Sequence, residues 1–217
     1  MDLNDFFTKC FVINLDRRPD RMESFNAGIP EDWPFRPIER VAAVDGKLSP
    51  PPKWWKPGGG AWGCYRSHLR LIEQGLTEGW DSVLLLEDDA VFKESFTEDV
   101  KQFLQHLPKD WDMLYLGGQH FRQKVGQPRR LNEFVYEPFN VNRTHAFAVN
   151  LKSFGKTLYK HLNESRDWKP THHIDHHLGR IVEKRAHNVY CPAHWIVGQA
   201  GGQSDIAHRT FDERYWK

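Results

Sequence analysis

Short apolar runs alternate along the chain with segments whose apolar residues recur every three or four positions. Apolar runs bounded by turn residues indicate buried strands, whereas the longer period indicates helices with one face on a core. The predicted strands cover residues 10–18, 39–47, 82–89, 112–118 and 145–150. The predicted helices cover residues 18–28, 61–78, a stretch after Ser95, a stretch from 150 to about 162, and 172–184. This alternation predicts an α/β protein with a mostly parallel central sheet flanked by helices.

One predicted strand ends in an unusual way, within the stretch "SVLLLEDDAVF" (82–92), where four apolar residues lead directly into Glu87, Asp88 and Asp89. Ligands of α/β sheets bind at the carboxyl ends of strands. Because side chains on a strand alternate, Glu87 and Asp89 should point one way and Asp88 the other. Two converging carboxylates repel each other unless a cation lies between them, and oxygen ligands suit Mg²⁺ or Mn²⁺. The alternative is a solvated acidic turn.

Composition and charge narrow the class of protein. A chain of 217 residues fits one domain, which we expect to cover 1–217, with loops 49–60 and 119–140 as flexible insertions. The formal net charge of +1 gives no global attraction to nucleic acid or anionic lipid. Three widely spaced cysteines predict no disulfide framework and a reducing cytoplasm. We expect neither a signal peptide nor a transmembrane helix. The glycine motifs of dinucleotide-binding and P-loop proteins are missing from the sequence.

Five blocks of sequence occur in an order that resembles a known family. They read "VINLDRRPDRM", "VAAVDGK", "GAWGCYRSHLRLI", "VLLLEDDAVF" and "DMLYLGG". The blocks "HAFAVNLKSFGKTL", "HHIDHHLG" and "GQAGGQSDI" follow further along. Together they resemble glycosyltransferase family 25, which includes lipooligosaccharide and collagen galactosyltransferases. The resemblance extends over about 11–206, nearly the whole chain.

The resemblance implies a Rossmann-like GT-A fold and a site that uses a nucleotide sugar with Mn²⁺ or Mg²⁺. In that fold a D-x-D motif holds the metal, and residues 87–89 would be its counterpart. Asp89 is then expected to coordinate the ion, with Glu87 assisting and Asp88 holding the ribose or an arginine. A C-terminal histidine often supplies a third ligand in such enzymes; His194 and His208 both qualify, and His208 is preferred.

Donor-binding candidates follow the first two strands and open the second helix: Asn14, Arg17, Arg21, Asp45, Gly63, Ser67 and His68. Arginine forks suit diphosphate oxygens, and a helix N-terminus offers free N–H groups to an anion. The alternatives are a solvated helix start for the arginines and a buried core histidine for His68.

The "HHIDHH" block (172–177) carries histidine pairs at i, i+4 spacing that could chelate zinc. A polar helix start that faces solvent is the preferred interpretation. By resemblance, Asp175 in this block is the candidate base that activates the acceptor hydroxyl. The basic loop 121–130 could close over a diphosphate or contact an acidic acceptor, or simply be solvated.

These expectations describe a transferase that moves galactose or glucose from a UDP-sugar to an acceptor hydroxyl, with inversion. By analogy the acceptor is a saccharide or glycolipid of lipopolysaccharide biosynthesis; a protein or a hydroxylated DNA base is an alternative. The rival functions are a nucleotide-sugar-binding module without turnover, a metal-dependent phosphohydrolase, and a DNA-modifying glycosyltransferase.

Overall fold

The computed structural model describes residues 3–164, 173–204, 206 and 210–214. Within these residues the α-helices are Pro19–Ala27 (α1), Gly59–Glu78 (α2), Phe96–Gln105 (α3), Lys156–Glu164 (α4) and Ile174–Glu183 (α5). The longer strands are Lys9–Asn14 (β1), Ile38–Ala42 (β2), Ser82–Glu87 (β3), Ala90–Phe92 (β4), Met113–Tyr115 (β5), Val135–Glu137 (β8), Ala146–Asn150 (β10), Val189–Pro192 (β11) and Val197–Gln199 (β12). Two-residue strands are Gln119–His120 (β6), Arg129–Arg130 (β7), Val141–Asn142 (β9), Gly202–Gln203 (β13) and Thr210–Phe211 (β14).

The main sheet of the described residues has eight strands in the order β2-β1-β3-β10-β5-β11-β8-β7. Strands β10 and β8 run against the other six. The α/β class and the mostly parallel sheet predicted from the sequence are therefore confirmed. The carboxyl ends of β1, β2 and β3 meet at one edge of the sheet, because these three strands are mutually parallel neighbours.

Both faces of the sheet are buried, and the apolar residues of β3 show why. Val83 and Leu85 pack with α2, α4 and α5 on one face, whereas Leu84 and Leu86 pack with α1 and α3 on the other. All four are fully buried. A strand covered on both faces needs a continuous apolar run rather than an alternating one, and this accounts for the run that ends at the acidic triplet.

Local sequence accounts for the ends of two helices that border the site. Helix α1 starts at Pro19. The N–H groups of the first helical residues have no intrahelical partner, so a proline at this position sacrifices no hydrogen bond, and Gly28 follows the last helical residue, Ala27. Helix α2 ends at Gly79, whose φ of 74° is a left-handed conformation that glycine adopts without strain.

The structure differs from the sequence prediction in two places. Residues 119–140, predicted as a long polar loop, contain β6, β7 and β8, and β8 joins the main sheet. The predicted helix after residue 150 begins with a π-helical turn, Leu151–Gly155, before α4. In addition, no helix in the described part of the chain is long and apolar enough to cross a membrane.

Candidate active site

A cleft of about 660 Å³ lies at the carboxyl ends of β1, β2 and β3. Its floor and walls come from segments that follow these strands: 15–21, 43–46 and 87–89. The start of α2, the start of α5, residues 142–144 before β10 and residues 199–204 complete the lining. The cleft thus brings together segments that are far apart in the sequence.

Glu87 is the last residue of β3, and its carboxylate is held by two side chains. The hydroxyl of Thr144 donates to Oε1 of Glu87 at 2.6 Å, and Nε2 of His68 lies 3.1 Å from the same oxygen. Burial alone would raise the pKa of Glu87, but the hydrogen bond and charge of His68, together with Thr144, lower it to about 2. Glu87 is therefore ionised throughout the physiological range.

Asp88 faces the α1 side of the cleft and is mostly buried. Its Oδ2 accepts a 2.7 Å hydrogen bond from the amide of Asn14, and its Oδ1 lies 2.9 Å from the guanidinium of Arg21. Asn14 is itself fixed, because it donates to the backbone of Arg18 and accepts from Arg40. Burial raises the pKa of Asp88 to about 6, although Arg21 and Asn14 oppose the rise.

Asp89 shares Arg21 with Asp88. Its Oδ2 accepts hydrogen bonds from Arg21 at 2.8 Å and from the amide of Gln199 at 3.0 Å. Its Oδ1 is buried and has no hydrogen-bond partner among the residues that the structure describes. Burial, followed by the charge of Glu87, raises the pKa of Asp89. An unpartnered carboxylate oxygen in this position can accept a cation or a donor group from a ligand.

The alternation expected for the triplet does not persist beyond Glu87. Asp88 and Asp89 both contact Arg21, rather than pointing to opposite faces. The reason is that β3 ends at Glu87, and the next two residues form a turn into β4. Glu87 stays with His68 on the α2 side. The three carboxylates of residues 87–89 therefore border one part of the cleft, the acidic corner, rather than lying on opposite faces of the sheet.

The loop after β2 is packed against the start of α2. A side chain at Gly63 would overlap the carbonyl oxygen of Val44, and one at Gly46 would overlap Gly59. Ser67 completes the contact, since its hydroxyl donates to Gly63 and accepts from the N–H of Val44. Gly63 and Ser67 thus fix the loop that carries the neighbouring Asp45.

Asp45 and Arg17 form an ion pair at the rim of the cleft. Nε of Arg17 donates to Oδ2 of Asp45 at 2.7 Å, and Oδ1 of Asp45 accepts from the N–H of Lys47. Although burial acts in the opposite direction, these bonds lower the pKa of Asp45.

Asp175 lies in the first turn of α5, on another wall of the cleft. Its carboxylate accepts backbone hydrogen bonds from Arg143 at 3.2 Å and from His176 at 2.8 Å. His173 and His176 line the same wall, with ring centroids 5.6 Å apart. The carboxylate is therefore held in place by backbone groups at the cleft lining, and its oxygens have the capacity to accept further hydrogen bonds.

The expectation that the "HHIDHH" helix start faces solvent is wrong for His177. His177 is 2% exposed and packs edge-on against Tyr65, and His173 and His176 are half-buried in the cleft wall. The physical reason is that α5 packs against α2, which the local pattern of histidines could not indicate. His172 lies outside the described residues.

Comparison with known proteins assigns the family. Residues 7–165 match the model described as "Glycosyltransferase family 25 (LPS biosynthesis protein)". The chain belongs to glycosyltransferase family 25. The family resemblance predicted from the sequence blocks is thereby confirmed.

Curated relatives in family 25 include both a galactosyltransferase and proteins named as inactive. The chain is 27% identical over 212 residues to procollagen galactosyltransferase 2 of Mus musculus, covering 75% of this chain and 33% of that protein. It is 30% identical over 132 residues to "Probable inactive glycosyltransferase 25 family member 3" of Bos taurus, covering 51% of this chain and 22% of that protein. The chain thus spans about a fifth to a third of the length of these relatives.

Among solved structures, the apo form of mouse xyloside xylosyltransferase 1 aligns with a TM-score of 0.49 and 10% sequence identity. That alignment covers 83% of each chain.

The cleft of this family 25 chain gathers most of the side chains that the sequence singled out. Those that line it are Arg17, Arg21, Asp45, Ser67, His68, Glu87, Asp88, Asp89 and Asp175. Asn14 and Gly63 lie behind the lining, where Asn14 holds Asp88 and Gly63 allows the close approach of α2. Their predicted roles toward a donor stay predictions.

The histidine candidates for a third metal ligand are not in the described lining. His194 is exposed in a turn after β11, and His208 lies outside the described residues. The basic loop 121–130 does not line the cleft either. Two of its arginines, Arg122 and Arg129, form ion pairs with Glu183 and Glu137.

Sequence reasoning missed three residues that shape the acidic corner: Thr144, His145 and Gln199. Strand β10 runs antiparallel to β3, so the residues before β10 lie beside the end of β3. The N–H of Glu87 accordingly bonds to the carbonyl of His145 at 3.0 Å. Gln199 reaches Asp89 because β12 pairs with β4 in antiparallel register. Predicting these residues would have required the directions of β10 and β12 in their sheets, and a pattern of apolar residues does not indicate strand direction.

Proposed function

We propose that this chain is a metal-dependent glycosyltransferase that moves a hexose, galactose or glucose, from a UDP-sugar to an acceptor hydroxyl with inversion. The acidic corner of the cleft carries the proposal. Asp88 and Asp89 share the guanidinium of Arg21, and Glu87 lies in the same corner, held by His68 and Thr144. When all three are ionised, their charge exceeds that of Arg21, and a divalent cation at the corner would offset the excess.

The residues of the corner fit Mn²⁺ or Mg²⁺. Both ions prefer oxygen ligands, and Oδ1 of Asp89 is a buried oxygen with no partner in the described residues. Asp89 would bind the ion and Glu87 would assist. When bound, such an ion stabilises the negative charge that develops on a departing diphosphate.

Two further parts of the lining support a nucleotide sugar. Arg17, Arg18 and Arg21 line the cleft on the α1 side, and guanidinium groups bind diphosphate oxygens in pairs. The first turn of α2 also faces the cleft through Gly60 and Ala61, where helix N–H groups favour an anion. Asp45, fixed by Arg17, would accept hydrogen bonds from the nucleoside.

The acceptor hydroxyl would lose its proton to Asp175. A general base must hold its carboxylate within hydrogen-bond reach of the proton that it removes. The backbone bonds from Arg143 and His176 hold the Asp175 carboxylate at the cleft wall while leaving it able to accept another proton donor. A saccharide or glycolipid is the proposed acceptor class, and the proposed compartment is the cytoplasm.

A donor panel tests the proposal. UDP-, GDP- and CMP-sugars are supplied with Mn²⁺ and a mixed glycan acceptor pool, and nucleotide release is measured. We expect release from UDP-galactose or UDP-glucose that chelation of the metal abolishes. Asp89→Asn should lower this release on the order of 100-fold or more, whereas Asp5→Asn, at an exposed ion pair, should leave it unchanged. Undiminished turnover in Asp89→Asn would contradict the metal assignment.

A second candidate function is nucleotide-sugar binding without turnover. The relatives named as inactive favour it. In that case calorimetry would detect Mn²⁺-dependent UDP binding, and nucleotide release would not exceed the spontaneous rate with any donor or acceptor.

A further inference from the structure

Helix α2 presents a cysteine and a histidine to the cleft on one face. Cys64 and His68 are four residues apart, a spacing that stacks side chains one turn apart on the same side of a helix. Both line the cleft. The end of β3 brings Glu87 to the same point, and Nε2 of His68 lies 3.1 Å from its Oε1.

These three side chains form a convergent set of ligand atoms. The sulfur of Cys64, a ring nitrogen of His68 and a carboxylate oxygen of Glu87 all lie within 4.8 Å of one another. In the part of the chain that the structure describes, no other group of three or more such residues converges in this way. Asp89, although in the same corner, directs Oδ2 toward Arg21 and Gln199 instead.

The donor chemistry of this set differs from that of the proposed Mn²⁺ position. A thiolate and an imidazole favour softer ions such as Zn²⁺, whereas Mn²⁺ and Mg²⁺ favour oxygen. Zn²⁺ forms bonds of about 2.0–2.3 Å to sulfur, nitrogen and oxygen, and its sites with three protein ligands keep a fourth position open. Closing the present separations to such bonds requires a side-chain movement on the order of 1 Å.

Cys64 differs from the other cysteines in access. It is partly exposed at the cleft, whereas Cys10 in β1 and Cys191 in β11 are fully buried in the two core layers. The ligand partners are also held in place. His68 is 1% exposed, and Thr144 fixes the Glu87 carboxylate through a 2.6 Å hydrogen bond.

We propose that Cys64, His68 and Glu87 form a binding site for Zn²⁺, separate from the oxygen-rich position at Asp89. On binding, the S–H bond of Cys64 breaks, a sulfur–zinc bond forms and the proton passes to solvent; no oxidation or reduction occurs. Burial and the neighbouring carboxylates raise the pKa of the Cys64 thiol, so the proton is present before the metal arrives. Because all three residues line the cleft, water or a phosphate oxygen from the cleft would supply the fourth ligand.

Occupation of this site would withdraw Glu87 from the corner that it shares with Asp89. Zn²⁺ would therefore inhibit turnover even with Mn²⁺ in excess. This consequence rests on the proposed glycosyltransferase function, whereas the binding site itself does not.

Cobalt provides a probe of the site that is independent of activity. Co²⁺ adopts zinc sites, and a cobalt–thiolate bond gives a charge-transfer absorption in the near ultraviolet. We expect the full chain to show this absorption with Co²⁺ and to lose it when Zn²⁺ is added. Cys64→Ser should remove the absorption and weaken Zn²⁺ binding by more than about tenfold, since even the loss of a ligand's hydrogen-bond partner has an effect of that order.

Asp89→Asn is the matched control, because it alters the same corner without touching the three ligands. It should keep the cobalt absorption. Thermal unfolding of each variant without metal establishes that it is folded, and Glu87→Gln provides a second ligand variant that should weaken binding. No absorption in the folded parent chain, or equal absorption in Cys64→Ser, would overturn the site.

The inhibitory arm is read separately. Zn²⁺ should inhibit nucleotide release by the parent chain and have at least tenfold less effect, in order of magnitude, on Cys64→Ser. A cobalt absorption without any transferase activity would support the zinc site and contradict the proposed function. Equal inhibition of both chains would overturn the inhibitory role.

Discussion

Three consecutive acidic residues occupy three different electrostatic environments. His68 and Thr144 lower the pKa of Glu87 to about 2, while burial raises the pKa of Asp88 to about 6 and also raises that of Asp89. Neighbouring carboxylates with pKa values driven apart are typical of sites that bind or transfer charge. The contrast arises from what each side chain touches, because the residue types are nearly the same.

At the same scale, Asp175→Asn separates a general base from a binding residue. The amide oxygen can still accept the shorter bond, from the N–H of His176 at 2.8 Å, and only the longer bond from the N–H of Arg143, made to the other carboxylate oxygen, is given up, so the local structure should largely persist. An amide cannot take the acceptor proton. We expect kcat to fall by about 10²- to 10⁴-fold, while the Kd for UDP with Mn²⁺ changes less than about twofold.

Steady-state kinetics and calorimetry on the same preparation measure both quantities. The matched control is Asp212→Asn, which changes another carboxylate that lines the cleft and should leave kcat nearly unaltered. If UDP affinity and kcat fell together in Asp175→Asn, Asp175 would be a donor ligand and the base would have to be sought elsewhere.

At the scale of elements, the packing of α2 on the loop after β2 depends on missing side chains. Gly63→Ala places a methyl group against the carbonyl of Val44, within a contact made by backbone on both sides. Backbone cannot yield as a flexible side chain can, so the substitution should lower the free energy of unfolding by about 1–3 kcal/mol. It should also weaken UDP binding, because the displaced loop carries Asp45.

Gly28→Ala is the control for this prediction. Gly28 has a φ of −94° and the nearest atoms to an added Cβ would lie at 3.6 Å, an ordinary contact. Alanine there should be neutral or stabilise by up to about 1 kcal/mol. Urea unfolding of both variants measures the difference. Equal stability of the two would show that the α2 contact relaxes without cost.

Elements also mark the limit of what the sequence could predict. The apolar run before Glu87 located β3 correctly, because a continuous apolar run is typical of a strand buried on both faces, although the predicted strand extended to residue 89 and β3 ends at Glu87. The direction of β10 could not be predicted from "HAFAVN", since an apolar run is equally compatible with a parallel and an antiparallel strand. The contacts of Thr144 and His145 with the acidic corner depend on that direction, so the sequence could not predict them.

Residues 119–140 show a related limit. Their polarity predicted a loop, but short strands at a sheet edge need little apolar surface, and β7 is exposed on both residues. Conversely, most of the side chains that the sequence singled out do line the cleft, in part because residues that follow parallel strands must share one edge of the sheet.

At the scale of the whole molecule, stability should respond to the charge buried in the cleft. Asp88 has an ordinary pKa of 3.8 in the unfolded chain and about 6 in the fold. Between these values the folded protein binds more protons than the unfolded chain, so the stability contributed by Asp88 falls as the pH rises from about 4 to 6. Glu87 acts in the opposite sense: its pKa of 4.5 becomes about 2, so its stabilising contribution is lost as the pH falls through that range.

Asp88→Asn isolates the first of these effects, because the amide cannot ionise and still accepts a hydrogen bond. Relative to the parent chain, the variant should gain stability as the pH rises from about 4 to 6, reaching a difference on the order of 3 kcal/mol at higher pH. Urea unfolding over this range, with a chelator present, measures it, and Asp5→Asn at the surface should show no such trend. The opposite result would be a free energy of unfolding that is higher for the parent chain than for the variant, by more at neutral than at acidic pH. That would mean that the Arg21–Asp88 ion pair outweighs the cost of burying its charges. The acidic corner would then stabilise the fold without a bound cation, rather than destabilise it until a cation binds.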